Sequence, residues 1–189
     1  MPAFVDSKAT TMSEQEQITT EEPLAVAEAD PPKKQQAAAS RKVSQYQKFL
    51  KVAEGKKRAA VFTHPGPDPD AIGSMMGVQW LLAKLGIECD SYFRGSVSHP
   101  QNKAVNNLLD PGMLPLSEYD GDKYDLRVLV DTVPANAGAP EGVSWDIVLD
   151  HHHETVNGNF KGLFTNLKAG SCAATIYHLM NEAGFQFED

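Results

Sequence analysis

From about residue 41 onward, short apolar runs alternate with longer segments whose apolar positions recur at helical spacing. Val43, Tyr46, Phe49, Leu50 and Ala53 share one face and predict a helix stopped by Gly55. The run 59–63 (AAVFT) is too short for a helix and has the composition of a buried strand. A turn rich in Pro, Gly and Asp covers 64–70, and a largely apolar helix is expected over 71–85, closed by Gly86. Residues 87–93 read as a second strand, and 101–109 as a helix broken by Pro111 and Gly112. Further strands are expected at 126–130, 146–149 and, more weakly, 163–167. A last helix spans 171–183, with Ser171 placed to cap it. This alternation predicts an α/β fold: a mainly parallel sheet with flanking helices.

Composition changes the picture only at the start of the chain. Residues 1–40 are rich in Ala, Glu, Gln, Thr and Pro and poor in large apolar side chains. Burial there cannot offset the entropy of ordering, so the segment reads as a disordered tail. A single domain over 41–189 follows it.

Seventeen basic and 25 acidic residues give a net charge of −8. That argues against a broad basic face gripping extended duplex nucleic acid. It leaves room for a phosphate substrate held through metal ions, because bound cations invert the local sign. Cys89 and Cys172 form no CxxC pair, which argues against a disulfide scaffold or thiolate zinc site and fits a reducing, cytoplasmic compartment. No apolar run approaches the length of a membrane span, and no secretory signal is visible.

Three expected strands end in residues suited to metal ligation. The first leads to His64, Asp68 and Asp70, the third to Asp131, and the fourth to Asp150, His151, His152, His153 and Glu154. In an open parallel sheet the C-terminal strand ends share one edge, so these groups should converge on one crevice. Asp68, Asp70, Asp131 and Asp150 would repel one another there unless protonated or neutralised by divalent cations. Imidazoles and carboxylates without thiolate favour Mn²⁺, with Mg²⁺ or Co²⁺ as alternatives, and several carboxylates suggest two ions. Such a pair can activate a nucleophile near neutral pH and clamp oxygens at phosphorus. Each residue alone has a plainer reading: an Asp after a strand is often a helix cap, a lone His is often structural, and a His run can be a solvated turn. The three groups together are harder to dismiss. His99 and His178 lack such company, and Met75, Met76 and Trp80 suit a core. Cys172 reads as a small buried side chain.

The motifs 63–74 (THPGPDPDAIGS), 130–132 (VDT) and 150–152 (DHH) resemble those of the DHH phosphoesterase superfamily. That superfamily includes RecJ-like exonucleases, nano-RNase/pAp phosphatases and type II inorganic pyrophosphatases. The resemblance covers roughly 43–189 and implies a Rossmann-like DHH domain. His64 and Asp68 would bind one ion, Asp70 and His151 the other, and Asp131 would bridge them. Asp150 would orient the histidines, and His152 would face the substrate and stabilise charge on the phosphoryl group. His152 and Asp131 are thus the candidate catalytic residues. The DAIGS continuation and the stretch 95–102 (GSVSHPQN) are similar to the nano-RNase/RecJ-like branch. Asn102 becomes a candidate substrate contact; its plainer reading is a residue at a helix start.

The resemblance has gaps. The family usually carries a further Asp-Thr pair completing the second metal site, then a Gly-rich DHH-associated domain that binds substrate. Neither follows the last helix, so the domain is expected to be incomplete and the chain a truncated member. The expected activity is two-metal hydrolysis of short oligonucleotides or 3′-phosphoadenosine 5′-phosphate. The alternatives are a catalytically incomplete metal- or nucleotide-binding module and an inorganic pyrophosphatase. Oligomeric state is left open.

Overall fold

The computed structural model describes residues 43–137, 142–152, 160–165 and 169–186. The tail expected over 1–40, and His153 and Glu154, lie outside the described residues.

Helix α1 (Gln45–Ala53) opens on a capping box made by Ser44 and Gln47. Strand β1 (Arg58–Phe62) leads through the Pro- and Gly-rich turn into α2 (Pro69–Lys84). Then come β2 (Glu88–Phe93), α3 (Pro100–Leu109), the two-residue β3 (Leu114–Pro115) and β4 (Leu126–Val130). Strands β5 (Ile147–Asp150) and β6 (Gly162–Thr165) precede α4 (Cys172–Glu182), which Ser171 caps by accepting the Ala174 N–H.

Two expectations need correction, and one strand was not anticipated. Helix α2 starts at Pro69 rather than at 71, because Asp68 caps it and Pro is well suited to the first helical position. Asp70 therefore sits in the first helical turn, not in the preceding loop. Val43 precedes α1 and is 59% exposed, so it is not part of the buried helix face. Strand β3 had no apolar run to announce it.

The six strands run in the order β3-β2-β1-β4-β5-β6, and every pairing is parallel. The chain works outward from β1, then returns to lay β4 on the other side of β1. That reversal opens a crevice beyond the C-terminal ends of β1 and β4, where open α/β sheets bind ligands.

The two faces of the sheet are covered differently. On one, Phe49 of α1, Met75, Val78, Leu81 and Leu82 of α2, and Ile176 and Leu179 of α4 pack on Val61, Val128 and Leu149. On the other, Ala60, Phe62, Leu129 and Val148 lie under Tyr124 and Trp145, with Tyr119 packed alongside. Every residue of this second cluster comes from a strand or a connecting segment.

Close packing of α2 on α4 uses small residues. A Cβ at Gly77 would meet Ile176 Cγ2 at 3.0 Å, and one at Gly73 would lie 3.8 Å from Ala173 Cβ. A branched side chain at 77 would push the helices apart. Gly77→Val is expected to cost about 1–3 kcal/mol in denaturant unfolding, the usual penalty for overpacking. Among the described residues, no helix is long and apolar enough to cross a membrane.

Candidate metal centre

The residues leaving β1 are held from several sides. Gly66, at φ +67°, donates its N–H to the Arg94 carbonyl at 2.9 Å. Asn102 Nδ2 donates to the Pro67 carbonyl at 3.2 Å. Asp68 Oδ1 accepts the Ala71 N–H at 3.0 Å. Asp68 thus caps α2, and its carboxylate also faces the crevice. His64 stands opposite, with Nε2 4.0 Å from that Oδ1.

Asp131 follows β4 with φ +55°, in the left-handed region that non-glycine residues rarely adopt. Such a conformation costs of order 1 kcal/mol and recurs at functional sites. Its N–H donates to the Leu149 carbonyl at 2.9 Å, which ties it to β5. Its two oxygens face different imidazoles. Oδ2 lies 3.7 Å from His64 Nε2, and Oδ1 lies 3.5 Å from His151 Nε2. His151 Nε2 is also 3.4 Å from Asp70 Oδ2. His152 donates Nδ1–H to the buried Asp150 at 2.8 Å, and that Nδ1 is 4.0 Å from Asp131 Oδ1.

Strands β1, β4 and β5 therefore bring His64, Asp68, Asp70, Asp131, His151 and His152 to one cleft of about 500 Å³. Thr132, Val133 and Asn136 complete its lining. Thr132 closes the VDT motif, whereas Val133 and Asn136 carried no motif; their one signal was position just beyond Asp131. Asn102 is not in the lining, and its amide braces the loop carrying Asp68. His99 caps α3 through the Gln101 N–H, and His178 is exposed on α4. Cys172 is fully buried.

The electrostatics suit a cation. Burial pushes the Asp131 carboxyl above its ordinary range, His64 opposes this, and Asp70 and Asp68 add to the rise. The Asp131 carboxylate in turn raises the His64 imidazole, against the effect of burial. Asp131 Oδ1 is buried with no hydrogen-bond partner among the described residues. An unpaired buried oxygen costs about 1–3 kcal/mol, which a bound cation would offset. Two triplets of donor atoms lie within 4.8 Å of one another: His64, Asp68 and Asp131, and Asp131, His151 and His152. They share Asp131. Asp70 is in neither triplet; both its oxygens accept N–H groups from the start of α4. Nitrogen and carboxylate donors without thiolate fit hard or borderline divalent ions.

Residues 58–189 match the N-terminal domain of the DHH family. The chain belongs to the DHH family. The DHH motif itself is Asp150, His151 and His152, at the end of β5. Over 109 residues the chain is 35% identical to an uncharacterised protein of Methanocaldococcus jannaschii, a stretch that is 57% of this chain and 23% of that protein. The DHH fold is similar to that of an exopolyphosphatase-related protein from Bacteroides fragilis, with a TM-score of 0.56 and 18% identity. That match covers 74% of this chain and 44% of the other. The chain thus spans less than half the length of either relative.

Proposed function

We propose that this cleft is a two-cation phosphoesterase centre. Its substrates are the phosphodiester or phosphomonoester bonds of short oligonucleotides or of 3′-phosphoadenosine 5′-phosphate. The observation that carries the reading is Asp131, a buried carboxylate whose oxygens face imidazoles from two different strand ends. His64, Asp68 and Asp131 would hold one ion. Asp131 and His151, with Asp70 beside them, would hold the other. Bound divalent ions, Mn²⁺ in the first instance, lower the pKa of coordinated water and neutralise charge gathering at phosphorus. The protein supplies the rest. Asp150 accepts Nδ1–H of His152 and so fixes the orientation of a ring that stands half exposed in the cleft. That ring would meet the phosphoryl group as it enters. The left-handed turn at Asp131 points one carboxylate at both ion positions. Without cations, the carboxylates would repel a phosphate. Both cysteines are free, which supports a reducing, cytoplasmic setting.

A second reading has its own support: the match is to the family's N-terminal domain, over less than half of each relative. A binding module without turnover would fit that. The 189-residue chain, incubated with Mn²⁺, is assayed on 3′-phosphoadenosine 5′-phosphate, on dinucleotides and on pyrophosphate. Release of phosphate or mononucleotide from the first two, but not from pyrophosphate, is expected. Calorimetric binding of Mn²⁺ and nucleotide with no product would leave the binding module. Product from pyrophosphate alone would make the protein a pyrophosphatase.

A further inference from the structure

We infer that the first turn of α4 positions Asp70 for the second cation, an inference that rests on the two-cation reading above. Asp70 Oδ2 accepts the Cys172 N–H at 2.8 Å, and Oδ1 accepts the Ala173 N–H at 2.9 Å. These are the first two residues of α4, whose N–H groups have no partner inside the helix. The helix dipole also favours a carboxylate there. The same Oδ2 lies 3.4 Å from His151 Nε2, which lies 3.5 Å from Asp131 Oδ1. Asp131 is only 3% exposed and this oxygen has no hydrogen-bond partner among the described residues, an independent sign that a ligand belongs among the three groups. The N–H pair fixes the carboxylate plane and leaves Oδ2 facing that position.

Cys172 fastens the other side. Its Sγ–H donates to the Leu149 carbonyl at 3.2 Å, the same oxygen that receives the Asp131 N–H. One fully buried residue thus ties the start of α2 to β5, at the carbonyl that also receives the Asp131 N–H. Outer contacts of this kind orient metal ligands, and losing one typically costs 10–100-fold in affinity.

Cys172→Pro tests this with little disturbance to the helix. Proline is favoured at the first helical position, and Ser171 before it is already extended, at φ −160° and ψ 160°. The variant deletes one N–H donated to Asp70 and the thiol contact. Calorimetry with Mn²⁺ should give two ions on the wild type. In Cys172→Pro, one ion should bind as before and the other about 10–100-fold more weakly. Cys172→Ser, which keeps the N–H and a side-chain donor, should stay close to wild type. Two ions at wild-type affinity in a Cys172→Pro chain with unchanged far-UV circular dichroism would overturn the inference. Fewer than two ions on the wild type would instead overturn the two-cation reading beneath it. Should the proline variant lose helical signal, the wild type decides: the Cys172 and Ala173 amide resonances should shift as diamagnetic Mg²⁺ fills the second position. Amides that stay still while it fills would refute the role.

Discussion

On the two-cation proposal, Asp131→Asn is expected to lower nucleotide hydrolysis by well over the roughly 100-fold that loss of an outer-shell partner costs, because it would remove the ligand proposed to be shared by both ions. The same change should raise the melting temperature of the metal-free chain at neutral pH, since it replaces a desolvated carboxyl with an amide. The wild type's pH dependence follows from the two raised groups. Burial raises Asp131, and Asp131 raises His64, so both hold protons more tightly in the folded than in the unfolded chain. Their contribution to metal-free stability is fullest below the ordinary values and is lost as pH rises through the raised ones. The proposed cation binding would need both groups deprotonated and so would strengthen as pH rises. The rise in melting temperature on adding Mn²⁺ should therefore grow from pH 5 to pH 8. In Asp131→Asn that rise should nearly vanish. Melting curves with chelator and with Mn²⁺ at the two pH values check this, and an Asn variant that keeps both turnover and the Mn²⁺ increment would sink the bridging role.

Phe62→Ala should cost the domain about 3–5 kcal/mol of stability, as truncations of buried aromatics do. That corresponds to a fall of roughly 10 °C in melting temperature for a domain of this size. Phe62 is 1% exposed and is surrounded by Tyr119, Trp145 and Tyr92 at centroid distances of 4.9, 5.3 and 5.7 Å. Among the described residues no α-helix contributes to this face, so its cover depends on those rings. Two residues later the chain reaches His64, so the variant should also bind Mn²⁺ more weakly. Denaturant unfolding measures the first effect and calorimetry the second. A loss below about 1 kcal/mol would mean that the cavity collapses at little cost.

Much of the fold was legible because its signals are local. Residues 126–130, four of them Leu or Val, form β4 to the residue. Ser171 caps α4 where a capping serine was expected. The convergence of His64, Asp131 and His151 was legible too, since a parallel sheet brings its strand ends to one edge. Other features depend on partners distant in sequence. Asp70 is held by N–H groups 102 and 103 residues further along, which no spacing rule reaches. The left-handed backbone of Asp131 is set by the junction between two strands. Strand β3 pairs through the backbone of only two residues, one of them proline. The aromatic cover of the second sheet face was hidden because Tyr119, Tyr124 and Trp145 come from connecting segments that carry no periodic pattern.

The unequal covering of the sheet has a spectroscopic consequence. The chain has two tryptophans. Trp80 lies in the helical layer, its ring 5.0 Å from that of Phe185, whereas Trp145 belongs to the opposite layer, beside Phe62. Each layer carries its own fluorophore, so intrinsic emission from the two single-tryptophan proteins separates loosening of one layer from loosening of the other.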